Sequence, residues 1–294
     1  MTAQPRVLVI GGTGGTGSEA VAHLLRRGAQ VRVVSRDPER ARTLPALAGT
    51  EVVAGDSSRP ETLAAAFQGV DKVYYVPPTL PGWDEVQSAT VALAADAGVR
   101  HFVKMSAIGV AADEPSMSLS FHWKGEQDVE RSGMAWTHIR PSSFFQNVLL
   151  LDVASLQNEN RIYAPLGDAR VAKLDTRDIG EVVAVVLTEP GHEKRAYELT
   201  GPAALSYPEM ADVLSEALGR RIEYVDLTAD EYEAHLVATG WPEWVAVEFA
   251  SIYGRGFYRA GGSSFVTTTV EDLLGRAPRS FADFAADHAD VIRG

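Results

Sequence analysis

Gly11-Gly12-Thr13-Gly14-Gly15-Thr16-Gly17 stands between the apolar run Val7-Leu8-Val9-Ile10 and a helix-like stretch over residues 16–27. The loop fits G-x-G-x-x-G at Gly12, Gly14 and Gly17, and G-x-x-G-x-x-G at Gly11, Gly14 and Gly17. Glycine suits these places because the strand must turn tightly into the helix. A side chain there would also keep a pyrophosphate away from the backbone N–H groups at the helix N-terminus. A bare glycine pattern describes a flexible turn equally well. Here the strand before, the helix after and a second apolar run at 31–34 meet the context that dinucleotide binding requires. Gly11, Thr13, Gly14, Gly15, Thr16 and Gly17 are therefore the expected diphosphate contacts.

Outward from the loop the same alternation continues. Apolar, β-branched runs at 7–10, 31–34, 51–54, 72–76, 101–105 and 137–140 are separated by helix-like stretches at 16–27, 60–67, 84–97 and 121–132. Strands this apolar must be covered on both faces, and helices between them supply the cover. The expected class is α/β: a Rossmann doubly wound parallel sheet over 1–150 and a smaller α+β substrate-binding region over 151–294. Segments around 171–200 are expected to return to the sheet. Ser58 with Glu61, and Ser206 with Glu209, have capping-box spacing. Beyond Pro141 the reading gives a helix over 179–187, a strand over 195–199, and a helix over 206–218 stopped by Gly219. A strand over 222–225 follows, then two helices within 229–260 broken at Gly240-Trp241-Pro242, and a short helix over 280–287.

The end of the second strand selects the nucleotide, since an acidic residue there accepts from a ribose 2′-OH whereas arginine answers a 2′-phosphate. The chain reads Val33-Val34-Ser35-Arg36-Asp37-Pro38. Arg36 can form a charge-assisted pair with a phosphate and Ser35 can add a hydrogen bond, so NADP is favoured over NAD. Asp37, followed by proline, reads as the cap of a short helix. Asp56, after Gly55, has two readings: acceptor from an adenine amino group with Ser57 beside the ring, or a helix cap. Pro77-Pro78 would wall the nucleotide cleft.

Composition narrows the alternatives. Lys and Arg number 27 against 39 Asp and Glu, a net charge of -12, which repels phosphate backbones and disfavours direct nucleic-acid binding. Any anionic ligand must be held by local groups. There is no cysteine, hence no disulfide, thiolate metal site or cysteine nucleophile. The seven histidines form no close ligand pair in sequence, so no metal is expected. No G-x-S-x-G elbow occurs. The first apolar run is too short for a signal-peptide core or a membrane span, so a cytoplasmic protein without membrane attachment is expected.

Taken together, several segments make the chain resemble the NmrA-like members of the atypical short-chain dehydrogenase/reductase superfamily. They are the 11–17 loop, Arg36-Asp37-Pro38, Gly55-Asp56, Lys104-Met105-Ser106 and Ser132-Gly133-Met134-Ala135-Trp136-Thr137-His138-Ile139-Arg140-Pro141-Ser142-Ser143-Phe144-Phe145-Gln146-Asn147. The last stretch is similar to the family's "SG..wT.lRP..F..N" signature. The resemblance implies a Rossmann domain, NADP and a smaller C-terminal substrate region. It leaves activity open, since the family includes reductases of quinones and azo dyes as well as regulators that bind the nucleotide without turnover. Pro141 and Phe144 within the signature are taken as further cofactor contacts.

Short-chain dehydrogenases pair Tyr-x-x-x-Lys on one helix face, the lysine holding the ribose and lowering the tyrosine pKa. Lys124 fits the lysine, as ribose contact and catalytic group, but four residues earlier stands Ser120. His122 is the nearby titratable residue. Two positions from Lys124 it points to another side of a regular helix, and it would reach a pocket if the helix began near 121. It reads as proton donor and substrate contact, or as a packed histidine. Ser106, at the carboxyl end of the fifth strand, is placed to polarise a carbonyl or to hold the nicotinamide amide, or to satisfy loop backbone.

Trp83, Phe144, Phe145, Trp241, Trp244, Tyr253 and Phe257 each read individually as core rather than ligand contact, and collectively as the wall of a large, mostly apolar substrate pocket. The expected activity is NADPH-dependent hydride transfer to a conjugated or aromatic electrophile (quinone, enone, imine or azo compound), by a monomer or homodimer. Such an acceptor delocalises negative charge and does not strictly need a tyrosine acid. Two rivals stand beside it: an NADP-binding redox sensor acting through a protein partner, and a non-redox enzyme that keeps the nucleotide as scaffold.

Overall fold

The computed structural model describes residues 5–294. In chain order the elements are β1 (Arg6–Ile10), α1 (Gly15–Arg26), β2 (Gln30–Ser35), α2 (Pro38–Arg42), β3 (Glu51–Ala54), β4 (Lys72–Tyr75), α3 (Trp83–Asp96), β5 (His101–Met105), α4 (Met117–Arg131) and β6 (Ala135–Pro141). There follow α5 (Val153–Glu159), β7 (Arg161–Ala164), α6 (Thr176–Thr188), β8 (Arg195–Leu199), α7 (Tyr207–Leu218) and β9 (Glu223–Asp226). The chain closes with α8 (Ala229–Ala238), α9 (Glu243–Phe249), α10 (Thr269–Leu274), α11 (Phe281–Asp287) and α12 (Ala289–Arg293).

Two compact units arise. The first takes Met1–Ala112, Phe121–Arg140 and Thr176–Glu198; the second takes Asp113–Ser120, Pro141–Asp175 and Leu199–Gly294. The chain thus passes between units several times, where the sequence suggested a boundary at 150 and one returning segment. In the first unit a seven-stranded sheet runs β3-β2-β1-β4-β5-β6-β8, and β1 pairs in parallel with both β2 and β4. The strand order reverses beside β1, so a crevice opens beyond the carboxyl ends of β1 and β4, where open α/β sheets take their ligands.

Val7, Leu8, Val9 and Ile10 of β1 are fully buried, which explains a strand with no polar alternation. The core on one side of the sheet gathers Leu63, Phe67, Val91, Phe102 and Val129. On α1 the buried positions Thr16, Gly17, Ala20, Val21 and Leu24 form one stripe at three- and four-residue spacing. That stripe meets α6, whose Gly180 lies so close to Glu19 and Ala20 that a Cβ would come within 2.5 Å of the Glu19 Cβ.

The second unit has its own core, built on Phe145, Leu156, Ile162, Leu214, Phe281 and Phe284. Its small sheet pairs β7 with β9 in parallel. Ser206 and Glu209 form the expected capping box at α7, and Gly219 ends that helix with a left-handed φ of 68°. The pair Ser280 and Asp283 caps α11 in the same way.

Three local expectations are corrected. Residues 60–67 form only a 3-10 turn over Pro60–Thr62. The reason is local: the Asp56 carboxylate takes the Ser58 N–H and hydroxyl and folds Ser58 into its own loop, the turn then starts at Arg59 without a side-chain cap, and Leu63, Ala66 and Phe67 reach the core from irregular backbone. Strand β4 stops at Tyr75, and α4 starts at Met117 rather than near 121.

Replacing Gly180 by Ala forces backbone atoms of α1 and α6 apart. Overpacking of this kind costs ~1–3 kcal/mol, whereas Gly15→Ala, with no atom in the way, stays within about 0.5 kcal/mol. Urea unfolding followed by circular dichroism should show a lowered midpoint for the first variant alone.

Candidate functional site

The crevice beside β1 is an open cleft of roughly 290 Å³, lined by Gly11, Thr13, Ser35, Arg36, Asp56 and Ser57 among others. Its floor is backbone. Gly11 adopts a φ of 88°, and a Cβ on Gly17 would lie 2.1 Å from the Gly11 carbonyl oxygen, so only glycine lets α1 start this close to the strand. Gly14 is the N-cap of α1 and offers no side-chain cap. The first-turn N–H groups and the positive end of the helix dipole are thus available to an anion.

At the cleft rim Ser35 Oγ donates to the Asp37 carbonyl at 3.0 Å and accepts from the Asp37 N–H at 3.2 Å. Asp37 caps α2 by accepting from the Arg40 N–H at 3.0 Å. The tight turn so formed presents Arg36 outward, and its guanidinium makes no hydrogen bond or ion pair among the described residues. Asp56 accepts from the Ser58 hydroxyl at 2.7 Å and N–H at 2.9 Å. The Ser58 hydroxyl above all, helped by the Ser58 amide and by Arg36 and Arg59, outweighs burial and keeps this carboxyl below its ordinary range. Asp56 therefore caps no helix; it shapes the loop that lines the cleft. The wall after β4 is Pro78, Thr79 and Leu80, one residue beyond Pro77.

A second cluster of functional groups lies in the same unit, where β5, α4 and β6 meet. Lys104 of β5 is completely buried. Its Nζ donates to the Met105 carbonyl at 3.1 Å and lies 3.0 Å from His122 Nδ1. Burial brings the Lys104 ammonium down to about 7 against the opposing pull of Glu126. The same burial, reinforced by Lys104, holds the His122 imidazole well below its ordinary range. Ser106 Oγ donates to Glu126 at 2.5 Å, and Arg140 grips the same carboxylate with Nε at 2.9 Å and Nη2 at 2.5 Å. Burial raises Glu126, but Arg140, His138 and Ser106 together prevail and keep it ionised. Glu126, Glu130 and His138 could place three ligand atoms within 4.8 Å of one another. Arg140, however, already neutralises Glu126.

Several expected site residues are placed otherwise. Lys124 is half exposed and ion-paired to Asp84 at 2.7 Å, and it does not line the nucleotide cleft. Because α4 already runs through 120–124, His122 turns away from Lys124 toward Lys104 and Trp83, whose ring meets it edge-on at 4.8 Å. Trp83 is buried. Phe145, expected to face substrate, is a core residue packed on Phe281 and Phe284. Tyr253 is likewise buried: its hydroxyl lies 2.5 Å from Ser143 Oγ and 3.3 Å from Asn147 Nδ2, with Lys173 Nζ at 3.5 Å. Trp241 and Trp244 are half-buried around α9, Trp241 packing on Phe249, and Phe144 is half-buried beside Leu174. Pro141 is the buried last residue of β6.

Lys104 and Lys173 are fully buried cationic side chains that the sequence reading did not single out. A charged residue in the apolar run His101-Phe102-Val103-Lys104-Met105 was the available signal for the first, since a lysine inside a central strand must be buried with partners. Lys173 gave no such signal; its cation over the rings of Tyr207 and Tyr253 is assembled from distant segments.

Comparison with known proteins agrees with this geometry. The model of the NmrA-like family matches residues 3–255. An NAD(P)H azoreductase from Xenophilus azovorans is 40% identical over 96% of this chain and 98% of its own length. Quinone oxidoreductase 2 of Escherichia coli is 27% identical over 94% of this chain and 96% of its own. Among solved structures, the triphenylmethane reductase of Citrobacter sp., complexed with NADP(H), superposes with a TM-score of 0.84 at 25% identity, covering 96% of this chain and 99% of that one. With the family model spanning most of the sequence, this chain belongs to the NmrA-like family.

Proposed function

We propose that this protein is an NADPH-dependent oxidoreductase that delivers hydride to a conjugated or aromatic small molecule of the quinone, azo or related electrophile class. The observation that carries it is the uncapped glycine cradle at the start of α1 sharing one cleft with the uncommitted Arg36. In a chain with net charge -12, these are the groups that can hold a diphosphate and a 2′-phosphate. The activities after which the azoreductase, quinone oxidoreductase and triphenylmethane reductase relatives are named support the acceptor class.

When bound, NADPH supplies the hydride. The glycine loop would anchor its diphosphate, Arg36 and Ser35 its 2′-phosphate, and Asp56 with Ser57 its adenine end. Ser106 and His122 remain the groups of this unit proposed for the reacting end, Ser106 fixed by Glu126 and His122 by Lys104. In this reading the protein works in the cytoplasm, as a monomer or homodimer; among the described residues no helix is long and apolar enough to cross a membrane.

Removing the Arg36 guanidinium deletes a charge-assisted hydrogen bond of about 1.5–3 kcal/mol, so Arg36→Ala should raise the KM for NADPH about tenfold or more. The KM for NADH should change less than about twofold, since NADH lacks the phosphate. Equal losses with both coenzymes would reject the assignment.

Absorbance at about 340 nm, followed while NADPH is mixed with a panel of quinones, azo dyes, enones and simple ketones, tests the activity itself. Sustained oxidation with the conjugated acceptors and none with the ketones is expected. Tight NADPH binding with no turnover on any acceptor would favour a sensor instead.

A further inference from the structure

We propose that the buried Lys104 is the positioning residue of a two-step proton relay, holding His122 as an Nε2–H imidazole and replacing the proton that this imidazole gives up. The inference rests on the oxidoreductase reading and extends it to the missing tyrosine. Lys104 Nζ lies 3.0 Å from His122 Nδ1; with Lys104 as the ammonium, which has no acceptor, Nδ1 must accept and the ring proton sits on Nε2. Nε2 has no hydrogen bond among the described residues, and Trp83 holds the ring edge-on at 4.8 Å. A half-buried imidazole with one nitrogen fixed and the other free is arranged to donate.

Hydride transfer adds two electrons and one hydrogen to the acceptor while NADPH becomes NADP+. His122 Nε2 gives one proton to the acceptor heteroatom, and Lys104 passes one proton to Nδ1. Lys104 is left as the neutral amine and His122 as the Nδ1–H tautomer; before the next cycle water protonates Nε2 and Nδ1 returns its proton to the Lys104 amine, which restores both groups.

The groups around Lys104 suit this exchange. On α4 it faces His122, Glu126 and Asp128; on β6, Arg140 and His138; and on β4 its register partner is Tyr75. Glu126 and Asp128 favour the ammonium, Arg140 opposes it, and burial is the largest influence. Because the protonated form is the one that works, the rate should fall as pH rises through about 7.

Histidine-labelled protein examined by long-range proton–nitrogen NMR reads the tautomer without turnover. Wild type should show His122 protonated at Nε2, and Lys104→Met should show a mixture of tautomers. In NADPH oxidation with 1,4-naphthoquinone and with an azo dye, Lys104→Met should lose about tenfold or more in kcat, with the KM for NADPH within about twofold, and should lose the alkaline limb near pH 7. Lys104→Arg keeps the cation but not its titration, so it should retain the Nε2–H tautomer and carry the limb out of the accessible range. Nδ1 protonation in wild type overturns the relay even if the variants fail to fold. An unchanged kcat and pH profile in Lys104→Met removes the relay and leaves the oxidoreductase reading intact. No oxidation by wild type with any acceptor removes both.

Discussion

The helix that follows the first strand begins closer to that strand than any side chain permits. Gly17 sits 2.1 Å, measured from where its Cβ would be, from the carbonyl oxygen of Gly11. This contact sets the angle at which α1 leaves the sheet, and it leaves the first-turn amides without a side-chain cap. Both effects serve one end. The first-turn amides stay open to an anion, which is the role proposed for them in an acidic molecule without a cluster of lysines at this loop. Arg36 adds a cation at the rim, where a tight turn organised by Ser35 and Asp37 presents it without a hydrogen bond or ion pair among the described residues.

The helices around the sheet are fitted to this start. The buried stripe of α1 needs a close partner, and Gly180 of α6 provides it by removing its own side chain. Position 180 lies far from 17 in sequence, yet both glycines serve the same packing layer. This is the first unit's main departure from a simple N-terminal domain, since α6 and β8 reach it after an excursion through the second unit.

Deeper in that unit, charges are buried in compensated sets. Glu126 and Arg140 form one, with Ser106 satisfying a remaining lone pair. Lys104 and His122 form another, in which one group must stay neutral because two cations cannot share so dry a site. In the second unit, Ser143, Asn147, Tyr253 and Lys173 join hydroxyls, an amide and an ammonium in one buried network. Side chains expected at a pocket wall, Phe145 and Tyr253, are held inside this unit's core and network, so aromatic character alone did not distinguish lining from packing.

The sequence by itself determined what depends on neighbours along the chain. The glycine loop, the strand runs, the Ser206 and Gly219 helix ends and the Asp37 cap are each set within a few residues, and each is found where its local chemistry places it. It failed where a local signal was intercepted: Ser58 has the spacing of a cap, but Asp56 two residues away draws it into its own loop and the turn starts at Arg59 instead. Only the tertiary structure decided which buried lysine meets which histidine, that Lys124 turns to Asp84, and that α4 begins early enough to aim His122 inward. Those outcomes depend on helices and strands brought together across 18 residues in the Lys104–His122 contact and 40 in the Lys124–Asp84 pair, and on burial that shifts proton affinities. Neither is written in the spacing of residues along one segment.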